Sequence, residues 1–268
     1  MRYMLCILLL AFCTTTLRAQ PAPVGPMPVS FFDVPDFKTL PPNIQVLSEK
    51  TVEGKEGAVK VMEFYFAGAP FNNKPTRLYG FYCRPEKSGI YPGVVEVHGA
   101  GLGVLGPDSG IQYAKNGFCC ITIDWAGRCP ERKEPRKAPY SEFDSPGNMS
   151  YALPEADKAK APPHGWQLYG VETDGIRNGV KFVRRAVMFL QSRPEVNPDK
   201  LCISGMSAGA HLTLLTLGIE PAFKAAAVKY GRAYIRDMWF GGYFGPIVMC
   251  AEAQQSAWLA AFDPKHHI

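Results

Sequence analysis

The sequence has no Cys-x-x-Cys pair and no cysteine–histidine spacing of the kind that holds zinc. Neither a zinc ribbon nor a zinc hydrolase is expected from it, and no metal or cofactor is called for. It has no basic stripe interleaved with aromatics, and its net charge is a mild +5. That excludes the electrostatic footprint of a nucleic-acid-binding protein. It has no internal repeat and, outside a proline-rich amino-terminal stretch, no low-complexity segment. The apolar run from Met4 to Cys13 is too short to cross a bilayer, which takes about 20 residues.

That short run reads instead as the middle of a signal peptide. Arg2 gives the basic start, and Leu17-Arg18-Ala19 sets a small residue before a cut. Cleavage after Ala19 predicts a mature chain beginning at Gln20, secreted or periplasmic and no longer tied to the membrane. Losing Arg2 and Arg18 lowers the net charge from +5 by two. Cys6 and Cys13 leave with the signal. Of the cysteines that remain, Cys119, Cys120 and Cys202 lie in apolar strand-like runs, so they read as buried small hydrophobes even in an exported chain.

A chain of 268 residues fits one α/β domain. Residues 1–19 are the signal, residues 20–58 an arm with seven prolines between Gln20 and Pro42, and residues 59–268 the domain. Strand-like runs fall at Val59–Phe66, Leu78–Arg84, Val94–His98 and Cys119–Asp124. The first two suit an antiparallel pair at a sheet edge. The next two are short and nearly all apolar, as strands buried on both faces are. Asp108–Asn116 between them reads as a helix closed by Gly117, which makes a parallel crossover unit. Residues 128–167 then break the rhythm with a long polar, proline-rich insertion. Loops of that length often serve as lids or binding loops, and Tyr140, Phe143, Tyr151 and Trp166 are candidate wall residues for a sugar or acyl group. After it come a helical stripe of Ile176, Val180, Val183, Val187 and Leu190, a turn at Asn197–Lys200, a strand at Leu201–Ser204, a helix at Ser207–Leu217 and a strand at Ala225–Lys229.

The chemistry is concentrated in Leu201-Cys202-Ile203-Ser204-Gly205-Met206-Ser207-Ala208-Gly209-Ala210. This is a G-x-S-x-G motif with an apolar strand before it and a helix after it. A nucleophile on a strained strand-to-helix turn needs small neighbours, which Gly205 and Gly209 supply, and the amino end of the following helix favours a developing anion. About a hundred residues earlier, His98-Gly99-Ala100-Gly101 ends a strand in the manner of a loop whose N–H groups bind an oxyanion. The two donors are placed at Ala100 and Ala208. His98 reads as a hydrogen-bonding structural residue, Asp124 of Ile123-Asp124-Trp125-Ala126-Gly127-Arg128 as a brace between loops, and His211 as a packed helix residue.

With HGAG, IDWAGR and SRPEVNPDKLCISGMSAG in this order, the chain resembles acetyl xylan esterases and cephalosporin-C deacetylases of the α/β-hydrolase superfamily. Dienelactone hydrolases and prolyl oligopeptidases are wider relatives. The resemblance runs from about Leu78 to Pro264 and is most specific at the serine motif. It implies a doubly wound, mostly parallel sheet and deacylation of small, often acetyl, esters on carbohydrate. It makes Ser207 the nucleophile and Ala100 and Ala208 the oxyanion donors. The long insertion departs from the compact members and leaves the substrate open.

Chain order in this fold is serine, then acid, then histidine, each after a strand. Behind Ser207 the sequence offers one strand, then Gly231–Asp263, and His266 and His267 that no strand positions, with Asp237 the nearest substitute for the acid. The sheet is therefore expected to stop before its last strands, with its final strand an unpaired edge. The chain is expected to be a fragment limited to the roughly 10³–10⁴-fold catalysis over water that an oxyanion hole and binding give. Three readings stand at this point. They are a serine esterase, a prolyl-oligopeptidase-type peptidase (which an upstream propeller would support), and a non-catalytic binding module.

Overall fold

The computed structural model describes residues 28–55, 57–71, 73–99, 106–127, 139–143 and 175–231. Among the described residues seven strands run as β1 Gln45–Val52, β2 Val59–Ala67, β3 Arg77–Pro85, β4 Tyr91–Val97, β5 Cys119–Ile123, β6 Val196–Met206 and β7 Phe223–Lys229. Among them lie helices α1 Asp108–Lys115, α2 Gly175–Gln191 and α3 Ala208–Leu217, preceded by a 3₁₀ turn at Val29–Phe32. The strands form one sheet in the order β1-β2-β3-β5-β4-β6-β7. β5, β4, β6 and β7 are mutually parallel, and β3, β2 and β1 add to them by successive antiparallel pairings. Five of the seven strands (β2 with the parallel four) thus point one way.

The parallel strands are the apolar ones for a physical reason: helices cover both faces, so every position must tolerate burial. All five residues of β5 are buried. On one face Phe64, Phe66, Val95, Ile121 and Ile203 pack against Val180, Val183, Val187 and Leu190 of α2 and Leu212 and Leu215 of α3. Each large apolar side chain buried here gains about 1.5–3 kcal/mol over exposure. On the other face Ala114 of α1 packs with Val59, Val61, Phe81 and Cys83. Gly117 ends α1 at φ +80°, a left-handed conformation that a side chain would disfavour, with its N–H on Ala114 O at 3.0 Å.

The sheet departs from the sequence expectation at three places. β1 lies inside the stretch read as arm, and it takes the edge position expected of β2. Its residues QVLSEKTV are exposed almost throughout, so it carries no alternating apolar pattern and is held by its ladder to β2. β6 begins earlier than expected, at Val196, because Asn197 still pairs with Pro92 before the chain steps out. Pro198, Asp199 and Lys200 form that step, with Asp199 N–H on Asn197 Oδ1 at 2.9 Å, and pairing resumes at Leu201 opposite Gly93. Cys202 is half-buried, whereas Cys119 and Cys120 are buried as expected; these three and Cys83 are free thiols. Among the described residues β7 pairs with β6 alone, and its residues after Phe223 are exposed.

The segment before β1 is fastened to α2 by arginines. Arg177 Nε donates to Phe31 O at 3.0 Å and Arg184 Nη1 to Phe32 O at 2.9 Å. Arg185 donates from Nε to Ala67 O at 3.1 Å, from Nη1 to Pro35 O at 2.8 Å and from Nη2 to Leu40 O at 2.9 Å. Its guanidinium also lies 4.4 Å over the Phe37 ring.

Of the insertion, residues 139–143 are described, and they are docked on the sheet. Glu142 bridges Arg77 of β3, the two side chains 2.9 Å apart. Tyr140 O accepts the Tyr65 hydroxyl at 3.2 Å. Phe143 packs on Phe71 and Phe182 at centroid distances of 5.6 and 4.9 Å, half-buried against the core. Tyr151 and Trp166 lie outside the described residues.

Candidate active site

The crossover from β4 through α1 to β5 places β5 on one side of β4, and the next connection returns the chain to β6 on the other. The direction of winding reverses there, and it is at the carboxyl ends of the strands beside such a reversal, here β4 and β6, that open α/β sheets bind ligands. Those two ends carry His98-Gly99 and Met206-Ser207.

Ser207 is the single residue between β6 and α3. Its backbone sits at φ 55°, ψ −116°, outside every basin that an L-residue enters freely. Such strain costs about 1–3 kcal/mol and persists where the surroundings impose it. Here the imposition is visible. Ser207 N–H is held by Lys229 O at 2.9 Å, and Ser207 O accepts from the N–H groups of Ala210 and His211 at 3.0 and 3.2 Å. The side chain makes no capping bond and is exposed.

The flanking glycines are required by space. A Cβ on Gly205 would sit 2.2 Å from Gly209 O, and one on Gly209 would sit 2.2 Å from Val97 O and 2.6 Å from His98 O. Ala208 opens α3 and is buried, and among the described residues nothing accepts its N–H. The four leading N–H groups of a helix lack partners within it, and they face the side on which negative charge is favoured. Gly99 lies against the turn: a Cβ there would be 3.3 Å from Met206 O and 3.5 Å from Ser207 Cβ. Ala100, the second expected donor, lies outside the described residues.

Around this turn the side chains behave as the sequence suggested, with more connections than it revealed. The fully buried Asp124 carboxylate accepts from Ser141 N–H at 2.7 Å and from Ala126 N–H at 3.3 Å. It braces two loops, as expected. His98 Nδ1 lies 2.7 Å from Gly99 O, and its ring stacks on Trp125 at 5.3 Å and 20°. His211 is buried on α3. Asp237, His266 and His267 lie outside the described residues. Sequence reasoning missed Trp125, whose Nε1–H donates to His98 O at 2.9 Å, and Ser141, whose hydroxyl bridges Asp124 O and Tyr79 N–H. Trp125 had a signal, since it lies just past the end of β5, the strand next to the one that leads into His98. Ser141 had none.

The described thiols are not rival nucleophiles. Burial pushes Cys83 up to about 12 and Cys119 to about 11, and holds Cys120 well above its ordinary value, so little thiolate exists near neutrality. Among the described residues no three His, Cys, Asp or Glu side chains converge as metal ligands. A cavity of about 310 Å³ lies among Lys50, Lys60, Tyr82, Arg84 and Arg193 at the amino ends of the parallel strands, far from Ser207. Lys60 there faces Glu86, and Arg84 and Arg193 face Glu195. Among the described residues no helix is long and apolar enough to cross a membrane.

Residues 34–237 match the sequence model of the acetyl xylan esterase (AXE1) family. An acetyl esterase, Axe7A of Xylanibacter ruminicola, is 27% identical over 156 residues, which are 57% of this chain and 32% of that protein. The chain thus spans about a third of the length of this curated relative. Acetyl xylan esterase 1 from Thermoanaerobacterium sp. JW/SL YS485 superposes with a TM-score of 0.60 at 15% identity, over 92% of this chain and 76% of that one. An acetyl xylan esterase from Paenibacillus sp. R4 gives 0.53 at 20% identity, over 89% and 79%. At these identities the two structures speak for the fold: an α/β-hydrolase sheet.

Proposed function

This chain belongs to the acetyl xylan esterase family, and from that premise we propose that it is a serine esterase cleaving small acyl groups, acetyl above all, from carbohydrate. We read Ser207 as the nucleophile, Ala100 and Ala208 as the donors of its oxyanion hole, and residues 1–19 as a signal that exports the protein. The observation that carries the reading is the backbone of Ser207, an exposed hydroxyl held at φ 55° between β6 and α3. A fold that stores strain at one serine, at its ligand-binding edge, is built to present that hydroxyl.

In this scheme Ser207 Oγ attacks the ester carbonyl and gives up its proton as the O–C bond forms. The carbonyl oxygen takes the negative charge, which the N–H groups at the start of α3 and after Gly99 stabilise. Collapse expels the sugar hydroxyl with a proton and leaves an acyl-serine, and water then releases the acid and restores the hydroxyl. The insertion at residues 128–167 leaves the chain beside this edge, and its segments either side of the docked residues 139–143 are the candidates for selecting the alcohol.

The test is a fluorophosphonate probe together with p-nitrophenyl acetate hydrolysis. The protein is expected to be labelled at Ser207, and Ser207→Ala to lose both labelling and turnover. A Ser207→Ala protein that is still labelled and active would overturn the assignment.

A further inference from the structure

Cys83 and Cys120 stand directly opposite each other where β3 runs antiparallel to β5. Asp124 N–H on Tyr79 O at 2.8 Å sets the phase of that ladder, which makes Cys83 and Cys120 a hydrogen-bonded pair. Such pairs hold their Cα atoms about 5.5 Å apart, within the usual disulfide span of about 4.4–6.8 Å. Both side chains are fully buried. A Cβ built on Gly110 would lie 2.8 Å from Cys83 Sγ and 3.9 Å from Cys120 Sγ, so both sulfurs sit under one residue of α1. Cys119 cannot compete, because neighbouring strand residues point to opposite faces. Its Sγ lies 3.9 Å from Glu195 O, in the core that α2 covers.

We propose that Cys83 and Cys120 are a modification site, joined in the mature protein by a cross-strand disulfide. Both are thiols in this structure, and under reductant they stay so. The bond forms by exchange with a small or protein disulfide, an oxidant that the exported compartment proposed above supplies. One thiolate attacks the oxidant's disulfide and expels a thiol; the other then attacks the mixed disulfide and expels a second. The pair loses two hydrogens, and the oxidant leaves as two thiols. Burial keeps both cysteines protonated once the sheet is covered, so the exchange belongs to folding, before α1 closes over them. The β3–β5 ladder is the shortest in the described sheet. It alone joins the antiparallel strands to the parallel ones. The staple therefore holds the half that carries the amino-terminal segment to the half that carries Ser207. Paired strands keep their Cβ atoms about 1 Å wider than a disulfide does, so the bond is strained and mild reductant opens it.

The mature full-length protein is unfolded with reductant, refolded in a glutathione redox buffer, trapped with iodoacetamide and mapped by mass. Wild type and Cys119→Ala should yield a linked pair of peptides, lighter by two hydrogens than the two thiol peptides together. Cys120→Ala should yield none containing Cys83. Mild reductant should lower the urea midpoint of the refolded wild type and leave that of Cys120→Ala unchanged. Cys83 and Cys120 recovered fully alkylated, or Cys83 linked to any other cysteine, overturns the inference, as does a wild-type midpoint indifferent to reductant. If Cys120→Ala yields no folded protein, the linked peptide in Cys119→Ala decides alone. Because the buffer supplies the oxidant, the outcome depends neither on the export assigned to residues 1–19 nor on the role of Ser207.

Discussion

Arg185 offers a perturbation whose size can be worked out from three hydrogen bonds. The side chain is fully buried and donates to the carbonyls of Ala67, Pro35 and Leu40. Arg185→Met keeps an apolar stem of similar reach but strands all three acceptors, which belong to the backbone and cannot be removed with it. Hydrogen bonds from a charged donor contribute about 1.5–3 kcal/mol each, so three set an upper range of roughly 5–9 kcal/mol. Against this stands the relief of a buried charge. Burial pulls the Arg185 guanidinium from its ordinary value down to about 10, which corresponds to roughly 3 kcal/mol in favour of losing it. Pro35 and Leu40 are only half-buried, so water can partly replace the guanidinium there. The net loss should be about 2–4 kcal/mol. Urea unfolding should show a lower midpoint at unchanged slope, and trypsin should cut sooner after Lys38 in the loosened segment. A change below about 0.5 kcal/mol, typical of an indifferent surface site, with cleavage unaltered, would refute the reasoning.

Two further outcomes are expected. Gly209→Ala drives a methyl to within 2.2 Å of Val97 O and 2.6 Å of His98 O; because backbone cannot yield as a side chain would, stability should fall by about 1–3 kcal/mol or more and labelling at Ser207 should fail, whereas wild-type melting and labelling would show the packing argument to be wrong. Cys83 and Cys119 are raised by burial to about 12 and about 11 from an ordinary 9.0, so the unfolded chain loses those protons first; their contribution is complete below pH 9 and is lost as pH rises through 11 and 12. The urea midpoint should drop over that window more steeply in the wild type than in a Cys83→Ala, Cys119→Ala variant, and parallel curves would count against it.

What could be read from the sequence was what leaves a local pattern. β4 and β5 announce themselves as short apolar runs because parallel strands are buried on both faces, and α2 as a stripe at helical spacing. The serine turn was legible because strain and crowding restrict its neighbours to glycine. β1 was not, because its order comes from ladder bonds that any residue can make. The arginine clamps were equally silent, since a backbone carbonyl has no signature in the sequence. The packing of Phe143 on Phe71 and Phe182 was also silent, since it joins the insertion to residues far away in sequence. The Asp124–Ser141 contact spans a loop whose path no periodicity describes.

The place of β4 in the sheet also orders events in time. It lies between β5, which follows it closely, and β6, which begins only at Val196. A growing chain that has delivered β5 therefore holds β4 with one bare edge until the whole insertion and α2 have been made. Bridging that gap adds a closure cost that grows with the logarithm of the loop length, and pairings so far apart in sequence form late. The strand that closes the edge is the one that ends at Ser207. Before it docks, Val94, Val95 and Val97 present an apolar margin that invites pairing with a foreign chain. The joint that presents Ser207 is thus also the one on which the solubility of the half-made protein depends.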